Sequence, residues 1–363
     1  MQLFFERQLE SEMFHDKYKL LNNTITLNNE REIIEQWADG FVDRDGKIID
    51  DFQREFHSTL WEFYIHQLLK KMGAIIDFSK HRPDFIVKNS DGSDKFYIEA
   101  RISGIKKNGR PESDRKLEDL FITETPVWKL PNFHTYIQEG IIRCSNGFLE
   151  KAITKYEKYK KDKWFSTDVP YIIGLSSFSQ VNYGLENHYS ILALLYGQYI
   201  QKGGHTFGKC PKILKENEEK KLVPIHTNLF NNKKFSHVSA VLFSSKLTLG
   251  KLTALSISTG IPSFNLVMNV YQDMYDKKFI IKEINQNNPE LFSDGLFLLH
   301  NPNAKQPLDP SVFKGQGIIQ VFQKKNKLVF SNTAQPLVCR LNRAGMRSMS
   351  QIQKMSLDEL YNT

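Results

Sequence analysis

The chain has 363 residues, 40% of them hydrophobic and 25% charged, with a formal net charge of +8. This composition excludes a disordered or fibrous protein and allows one large domain or two of ordinary size. The modest positive charge suits a polyanionic partner such as nucleic acid, and equally a mildly basic enzyme. Three widely spaced cysteines exclude a disulfide framework, and no apolar stretch is long enough to cross a bilayer. Because the acidic N-terminus also lacks signal-peptide features, we expect a cytoplasmic protein with no membrane partner.

The first 50 residues predict a helical extension, with a helix at 30–39 and a polar turn at 43–46. Residues 51–71 form the clearest helix of the sequence. Apolar residues recur there at three- and four-residue steps, two lysines occupy the last turn, and Gly73 follows.

The period of the apolar residues then changes from helical to alternating, which predicts a meander of short strands. The strands span 74–78, 83–87 and 95–102, and the sequence NSDGS joins the last two as a hairpin turn. Residues 103–146 are polar and irregular, with a short helix at 113–121. A helix at 147–161 and a strand at 171–175 follow, so the order is helix, three strands, helix, strand.

Beyond residue 180 the pattern predicts a helix at 188–200, a buried strand at 237–243 and a hairpin at 317–331. The segments 203–235 and 284–310 are predicted to be loops. We therefore divide the chain into an extension (1–50), a core (51–180) and an α+β C-terminal region (181–363) packed on that core.

The predicted hairpin brings two acidic residues together. With the turn centred between Asp91 and Gly92, Asp84 lies opposite Glu99, and Ile86 lies opposite Tyr97 on the same face. The other face carries the remaining apolar residues: Phe85, Val87, Phe96, Ile98 and Ala100. Carboxylates with Cβ atoms about 5 Å apart repel each other and need a cation. A hard divalent ion such as Mg²⁺ is suitable, and Arg101, two residues further, could stabilise a phosphate. An alternative of equal weight is that Arg82 and Arg101 neutralise the acids in a surface salt-bridge ladder.

Pro83-Asp84 followed by Glu99-Ala100-Arg101 resembles the PD-(D/E)xK signature of the restriction-endonuclease-like superfamily. The resemblance implies that the Asp and the Glu bind Mg²⁺ or Mn²⁺, and that Glu62 on the preceding helix supplies a further acid. The order of elements also matches the core of that superfamily. We therefore expect an α/β fold with a restriction-endonuclease-like core, elaborated by the α+β C-terminal half.

One residue departs from the signature, because Arg101 stands where the superfamily has a lysine. A guanidinium stays protonated and cannot serve as a base. Either Arg101 acts only through its charge, or a lysine from the following helix takes the position, with Lys151 and Lys155 as candidates. The competing interpretations are that these lysines form a solvated helix face and that the site binds nucleic acid without cutting it.

More narrowly, several segments resemble a group of bacterial proteins of prophages and mobile elements: 37–69, RPDFIV, YIEA and HNPNAKQPL. Together the two resemblances imply a metal-dependent nuclease acting on DNA rather than RNA, in defence against phage or foreign DNA. The alternative function is an inactive nucleic-acid-binding or protein-interaction component of a defence system. A homodimer and a protein partner are compatible with either. Basic clusters at 105–110, 158–163 and 323–327 would contribute affinity for phosphates rather than sequence specificity.

Two further patterns are given structural interpretations. His57, Glu62 and His66 share a helix but lack the spacing of the HExxH zinc motif. The segment beginning at Asp43 lacks the final Glu of a calcium-binding loop, which favours a simple turn.

Overall fold

The computed structural model describes residues 1–4, 13–105, 109–116, 119, 122, 124–177, 181, 184–216, 219–325, 327–331, 335–345 and 350–362. It is a mixed α/β protein organised around one eight-stranded sheet. Among the described helices, none combines the length and the hydrophobicity that a membrane crossing requires.

The first helices are α1 (Asp16–Asn23), α2 (Asn28–Ala38), α3 (Ile48–Arg54) and α4 (Phe56–Lys71). The predicted helix at 30–39 is confirmed as α2. The continuous helix predicted over 51–71 is wrong, because Glu55 leaves helical geometry (φ −108°, ψ 39°) and separates α3 from α4. The apolar period continues across this break, so the sequence pattern did not reveal it.

The large sheet consists, in spatial order, of β1 (Ile75–Asp77), β2 (Phe85–Lys88), β3 (Asp94–Ser103), β4 (Tyr171–Ser177), β9 (Val238–Ser244), β12 (Leu296–His300), β13 (Ile319–Lys324) and β14 (Lys327–Phe330). Strands β1 to β3 form the predicted antiparallel meander, and β4 runs parallel to both β3 and β9. Four strands from beyond residue 180 therefore extend the sheet that the first half of the chain begins.

Comparison with the predicted strands shows one clear error in this sheet. The hairpin at 317–331 is confirmed as β13 and β14, and the strand at 237–243 is confirmed as β9. Strand β12, however, lies inside the predicted loop 284–310. It is fully buried between β9 and β13. The strand has only five residues, and Gly, Asn and Pro flank it. An apolar run this short was not recognised as a strand in the sequence.

The predicted helix at 147–161 is confirmed as the second half of a long helical run on one face of the sheet, whose first half was missed. Helix α5 (Phe133–Leu149) begins inside the segment 103–146 that was predicted to be irregular, and continues through a π-helical segment (Glu150–Lys155) into α6 (Tyr156–Tyr159). Two glycines lower its intrinsic helix propensity. A Cβ on Gly140 would lie 2.3 Å from the Ser190 hydroxyl oxygen, and one on Gly147 would lie 2.8 Å from a Leu175 methyl. Close packing therefore explains why glycine occupies these helical positions.

The remaining elements are α7 (Tyr189–Tyr196), β5 (Gln198–Ile200), β6 (Phe207–Lys209), β7 (Ile213–Glu216), β8 (Leu222–Ile225), α8 (Leu249–Ser258), β10 (Asn265–Asp273), β11 (Lys278–Glu283), β15 (Leu337–Ala344) and α9 (Ser350–Asn362). Strands β10, β11 and β15 make a three-stranded antiparallel sheet, and the short hairpins β5–β6 and β7–β8 interrupt the predicted loop 203–235.

The predicted helix 113–121 begins with a 3₁₀ turn at Glu112–Asp114. Several of its later residues, like part of the cluster 105–110, lie outside the described residues.

The two faces of the large sheet are covered by different helices. Apolar residues of β2 and β3 such as Phe85 and Ile98 pack in one core with α1 to α4. Their neighbours Ile86 and Tyr97 point to the opposite face and pack with α5 and α7. Helix α4 is fixed to the sheet by the indole of Trp61, which donates a hydrogen bond to the Gly174 carbonyl (3.0 Å). Burial on both faces fixes the register of the central strands.

Candidate active site

The hairpin of β2 and β3 brings Asp84 and Glu99 together. The pairs Phe85–Ile98 and Ile86–Tyr97 have the predicted register, and a bulge occurs only near the turn, after Val87. Asp84 immediately precedes β2 and accepts a hydrogen bond from the Ala100 backbone N–H (2.7 Å). The residue next to Ala100 is Glu99, which is buried. The predicted juxtaposition therefore follows directly from the observed register.

Glu62 reaches the same site from α4. Burial raises the pKa of its carboxyl well above the usual range, and the nearby charge of Asp84 raises it further. Its neighbours Trp61 and Phe63 are fully buried in the core. Helix α4 therefore fixes the position of Glu62, and the charges of Asp84 and Glu99 both raise the pKa of its carboxyl.

Arg44 also borders the site, although in the sequence it was predicted only to belong to the polar turn at 43–46. Its guanidinium donates hydrogen bonds to the carbonyls of Lys80 (2.6 Å) and Pro83 (3.3 Å), directly before Asp84. Its positive charge lowers the pKa of Glu62 and so opposes the effect of burial. The turn itself is held by Asp43, whose carboxylate accepts backbone N–H groups, which agrees with the structural interpretation of this segment.

The cation closest to the acids on the sheet is Lys151. Its ammonium donates to Glu99 Oε1 at 2.6 Å, and both side chains are at least nine-tenths buried. Lys151 lies in the π-helical segment after α5, where the Tyr171 hydroxyl donates to its carbonyl (3.2 Å). Lys151 is therefore not part of a solvated lysine face, whereas Lys155 is partly exposed. Local π-helical geometry is often found at functional sites.

Arg101 has a different partner. Its guanidinium lies 2.8 Å from Glu150 Oε2 and is 45% exposed. Arg82 forms a two-point ion pair with Asp162, at 2.8 and 3.0 Å. The alternative in which Arg82 and Arg101 neutralise Asp84 and Glu99 in a surface ladder is therefore wrong. Arg101 lies at the rim of the site, and its proposed interaction with a phosphate stays a prediction.

Tyr159 is a further residue of the site that the sequence analysis did not identify. It is 3% exposed, and burial together with its hydrogen bond to Glu99 raises the pKa of its hydroxyl above the usual range. The guanidinium of Arg82 lies 5.9 Å from the centre of its ring. Lys151 and Tyr159 belong to the same helical run after α5, so both side chains approach Glu99 from the same part of the chain.

The donors in this site fit a hard divalent ion. Burial raises the pKa of Asp84 to about 7, and the charge of Glu99 contributes to the same shift. Oxygen Oε2 of Glu99 is buried and accepts no hydrogen bond from the described residues. Among the described residues, Lys151 and Arg44 are the cations that act on these three carboxylates, and one buried oxygen is left without a hydrogen bond. Such an excess of oxygen ligands matches the preference of Mg²⁺ or Mn²⁺.

The acids predict an unusual dependence of stability on pH in the absence of metal. Because the pKa of Asp84 is raised to about 7 in the folded state, its protonated form stabilises the fold at low pH. This contribution is lost as the pH rises from about 4 to about 7, and each pKa unit is worth about 1.4 kcal/mol. In EDTA, we expect Asp84→Asn to unfold at a higher temperature than wild type at pH 8, with little difference at pH 4.5.

Asp77→Asn provides the matched control for that measurement. Burial raises the pKa of Asp77, but hydrogen bonds from Ser79 and Lys88 outweigh it and leave the pKa lowered. Its ionised form therefore stabilises the fold, and Asp77→Asn should lower the unfolding temperature at pH 8. If Asp84→Asn also lowers it in EDTA, the carboxylates do not repel each other as inferred.

Other polar residues singled out in the sequence have structural partners. The ring of His66 is buried and hydrogen-bonded to the Trp37 carbonyl (2.8 Å), which accounts for its place in α4. Asn301 donates to the carbonyls of Phe235 (3.1 Å) and Val238 (2.8 Å) and so fixes the loop after β12.

Comparison with known proteins gives no match: no protein-family model fits the chain, and no curated protein or solved structure shows significant similarity to it.

Proposed function

We propose that this protein is a metal-dependent nuclease that hydrolyses phosphodiester bonds in DNA. The observation that carries the proposal is the convergence of Asp84, Glu99 and Glu62 with Lys151, whose ammonium lies 2.6 Å from Glu99. Burying charged groups is costly, and an ion pair that served stability alone could lie at the surface. The burial of these acids beside a lysine therefore supports a functional role.

The arrangement of elements around the site agrees with a restriction-endonuclease-like core. Helix α4 precedes the antiparallel meander of β1, β2 and β3, and α5 connects β3 to the parallel strand β4. The PD-(D/E)xK resemblance assigns the acids to β2 and β3 and a further acid to the preceding helix. Lys151 supplies the amine that Arg101 does not, so the departure from the signature no longer argues for an inactive site.

The residues that would hold Mg²⁺ or Mn²⁺ are Asp84 and Glu99, with Glu62 completing the acidic site. A divalent ion, when bound, lowers the pKa of a nearby water and stabilises the charge that develops on the phosphate. Asp84 is oriented by the backbone N–H of Ala100. Burial raises the pKa of Glu62, so its carboxylate is a stronger base than an exposed glutamate and is suited to accept a proton from water.

The basic side chains of the site divide into two roles. Lys151 holds Glu99 in position and places a positive charge inside a site from which water is largely excluded, where such a charge is effective. Arg101 lies at the rim with half of its side chain accessible, where a flanking phosphate of the substrate can reach it. Both act on charge and orientation rather than as bases.

The test is a cleavage assay with supercoiled, linear and single-stranded DNA and with RNA, in EDTA, Mg²⁺ and Mn²⁺. We expect cleavage of a DNA substrate only with a divalent ion, and none by Asp84→Asn. Retained cleavage by Asp84→Asn would assign the activity to another site or a contaminant. If wild type binds DNA but cuts nothing under any condition, the chain is the inactive nucleic-acid-binding component. Cleavage confined to RNA would correct the substrate class while keeping the chemistry.

A further inference from the structure

A second group of metal-ligating side chains lies apart from the three acids. His15, His57 and Glu112 offer one ligand atom each, and these atoms all lie within 4.8 Å of one another. Glu112 Oε1 is 3.3 Å from His15 Nε2 and 2.5 Å from His57 Nε2. The side chains are only 23%, 12% and 9% exposed, so this is an enclosed cluster rather than a surface contact.

Three separate parts of the fold supply these residues. His15 precedes α1, and its backbone N–H donates to the Gln53 carbonyl at the end of α3 (2.8 Å). His57 lies in the first turn of α4. Glu112 begins the 3₁₀ turn after β3, a turn that Arg110 fixes through a hydrogen bond to the Asp114 carbonyl (2.9 Å). The ligands are therefore anchored independently by their own backbones.

We propose that His15, His57 and Glu112 form a structural site for a zinc-class divalent ion. Two imidazoles and one carboxylate are a ligand set that suits zinc, and they differ from the all-oxygen set of Asp84 and Glu99. In a tetrahedral site with bonds of about 2 Å, ligand atoms lie roughly 3.3 Å apart. The His15–Glu112 separation already has this value, whereas the shorter His57–Glu112 contact must open. The two imidazole nitrogens lie within 4.8 Å of each other and need only a small adjustment to reach it.

The contacts of Glu112 leave one of its carboxylate oxygens available to a cation. Oxygen Oε1 faces both imidazoles, at 3.3 Å from His15 and 2.5 Å from His57. Oxygen Oε2 of Glu112 accepts no hydrogen bond from the described residues, and its nearest cation, the Lys17 ammonium, is 3.9 Å away.

Metal binding has one structural cost that can be identified. His15 Nδ1 now accepts the backbone N–H of Lys17 (3.1 Å) and caps α1. An ion on Nε2 places the ring proton on Nδ1, so this cap hydrogen bond is lost. A metal–nitrogen bond is far stronger than one cap hydrogen bond, and the exchange favours the ion.

The space beside His57 is too small for a substrate, which indicates a structural rather than a catalytic ion. A cavity of about 10 Å³ borders His57 and Lys17, and neither His15 nor Glu112 lines it. This volume holds about one water. The ion would join the chain leaving β3 to the start of α4, the two elements that carry Glu99 and Glu62.

The test uses the full chain, freed of metal with a chelator and titrated with Co²⁺ and Zn²⁺ at pH 7.5. We expect one equivalent of Co²⁺ to produce the visible absorption of a tetrahedral complex, and one equivalent of Zn²⁺ to displace it and raise the unfolding temperature. Glu112→Gln, which keeps the shape and can still bond to both histidines, should weaken zinc binding about 100-fold or more. Even residues that only orient a ligand contribute about 10–100-fold.

Two controls separate this site from the proposed nuclease site. His81→Gln alters an exposed histidine, and Asp84→Asn alters the acidic site; both should bind zinc as wild type does. His15→Gln gives the same readouts if Glu112→Gln does not fold. The proposal is overturned if wild type takes up no tight equivalent of zinc, or if both ligand variants keep wild-type affinity. Loss of zinc binding in Asp84→Asn alone would assign the ion to the nuclease site.

Discussion

Replacing Lys151 with methionine is expected to slow metal-dependent DNA cleavage by a factor of about 100 to 1,000, the usual effect of removing one preorganised cationic or hydrogen-bonding group. Methionine keeps the length and apolar stem of the side chain but removes the charge that lies 2.6 Å from Glu99. The loss should appear in kcat rather than in DNA affinity, because Lys151 is buried beside the acids and not at the surface.

Lys155→Met is the matched control for this variant. Lys155 lies one turn further along the same π-helical segment and is partly exposed. Its replacement should leave the cleavage rate within about twofold of wild type, as surface substitutions usually do. Equal losses in both variants would mean that the two lysines act only through general attraction of DNA. Raising the salt concentration would then reduce both effects together, since exposed charges are screened.

The fold around the site was partly predictable because local patterns determine it. Alternating apolar residues in β2 and β3 fixed which side chains face the core, and the observed pair Phe85–Ile98 confirms that register. A shift by one residue would have turned the whole apolar face to the other side of the sheet. The juxtaposition of Asp84 and Glu99 therefore depended on the least ambiguous part of the sequence.

The lysine could not be chosen from the sequence because its position depends on packing. Lys151 and Lys155 have the same local pattern, and only the approach of α5 to the sheet decides which of them reaches Glu99. That approach depends on Gly147, whose lack of a side chain allows the helix to lie against Leu175. Glycine also lowers helix propensity, so the predicted helix began at Gly147 and its earlier part was missed.

The histidine cluster was missed for a related reason. His57 and Glu112 are separated by 55 positions, and the turn that carries Glu112 has no period. Spacing rules detect metal ligands that lie close in sequence, such as two histidines one helical turn apart. His15 before α1, His57 in α4 and Glu112 after β3 are far apart in the sequence. They have no characteristic spacing, and only the folded structure shows that they lie together.

Glu99→Gln is expected to reduce cleavage by at least about a thousandfold, because a bound metal contributes several kcal/mol of transition-state stabilisation and each 1.4 kcal/mol is tenfold in rate. Unlike Asp84→Asn, this change should also destabilise the metal-free protein. Lys151 would lose the ionised partner of a buried pair, and breaking such a pair costs a few kcal/mol. Two acid-to-amide substitutions in one site should therefore change stability in opposite directions.

The double variant Glu99→Gln/Lys151→Met distinguishes this pairing from a general loss of packing. Each single variant leaves one buried charge without its partner in the Lys151–Glu99 ion pair, whereas the double variant removes both charges. We expect urea unfolding at pH 8 in EDTA to show a double variant more stable than the sum of the single effects by about 1–3 kcal/mol. Additive effects would mean that Lys151 and Glu99 do not depend on each other. Lys151 would then be compensated by Asp84 and Glu62, and its role in orienting Glu99 would have to be abandoned.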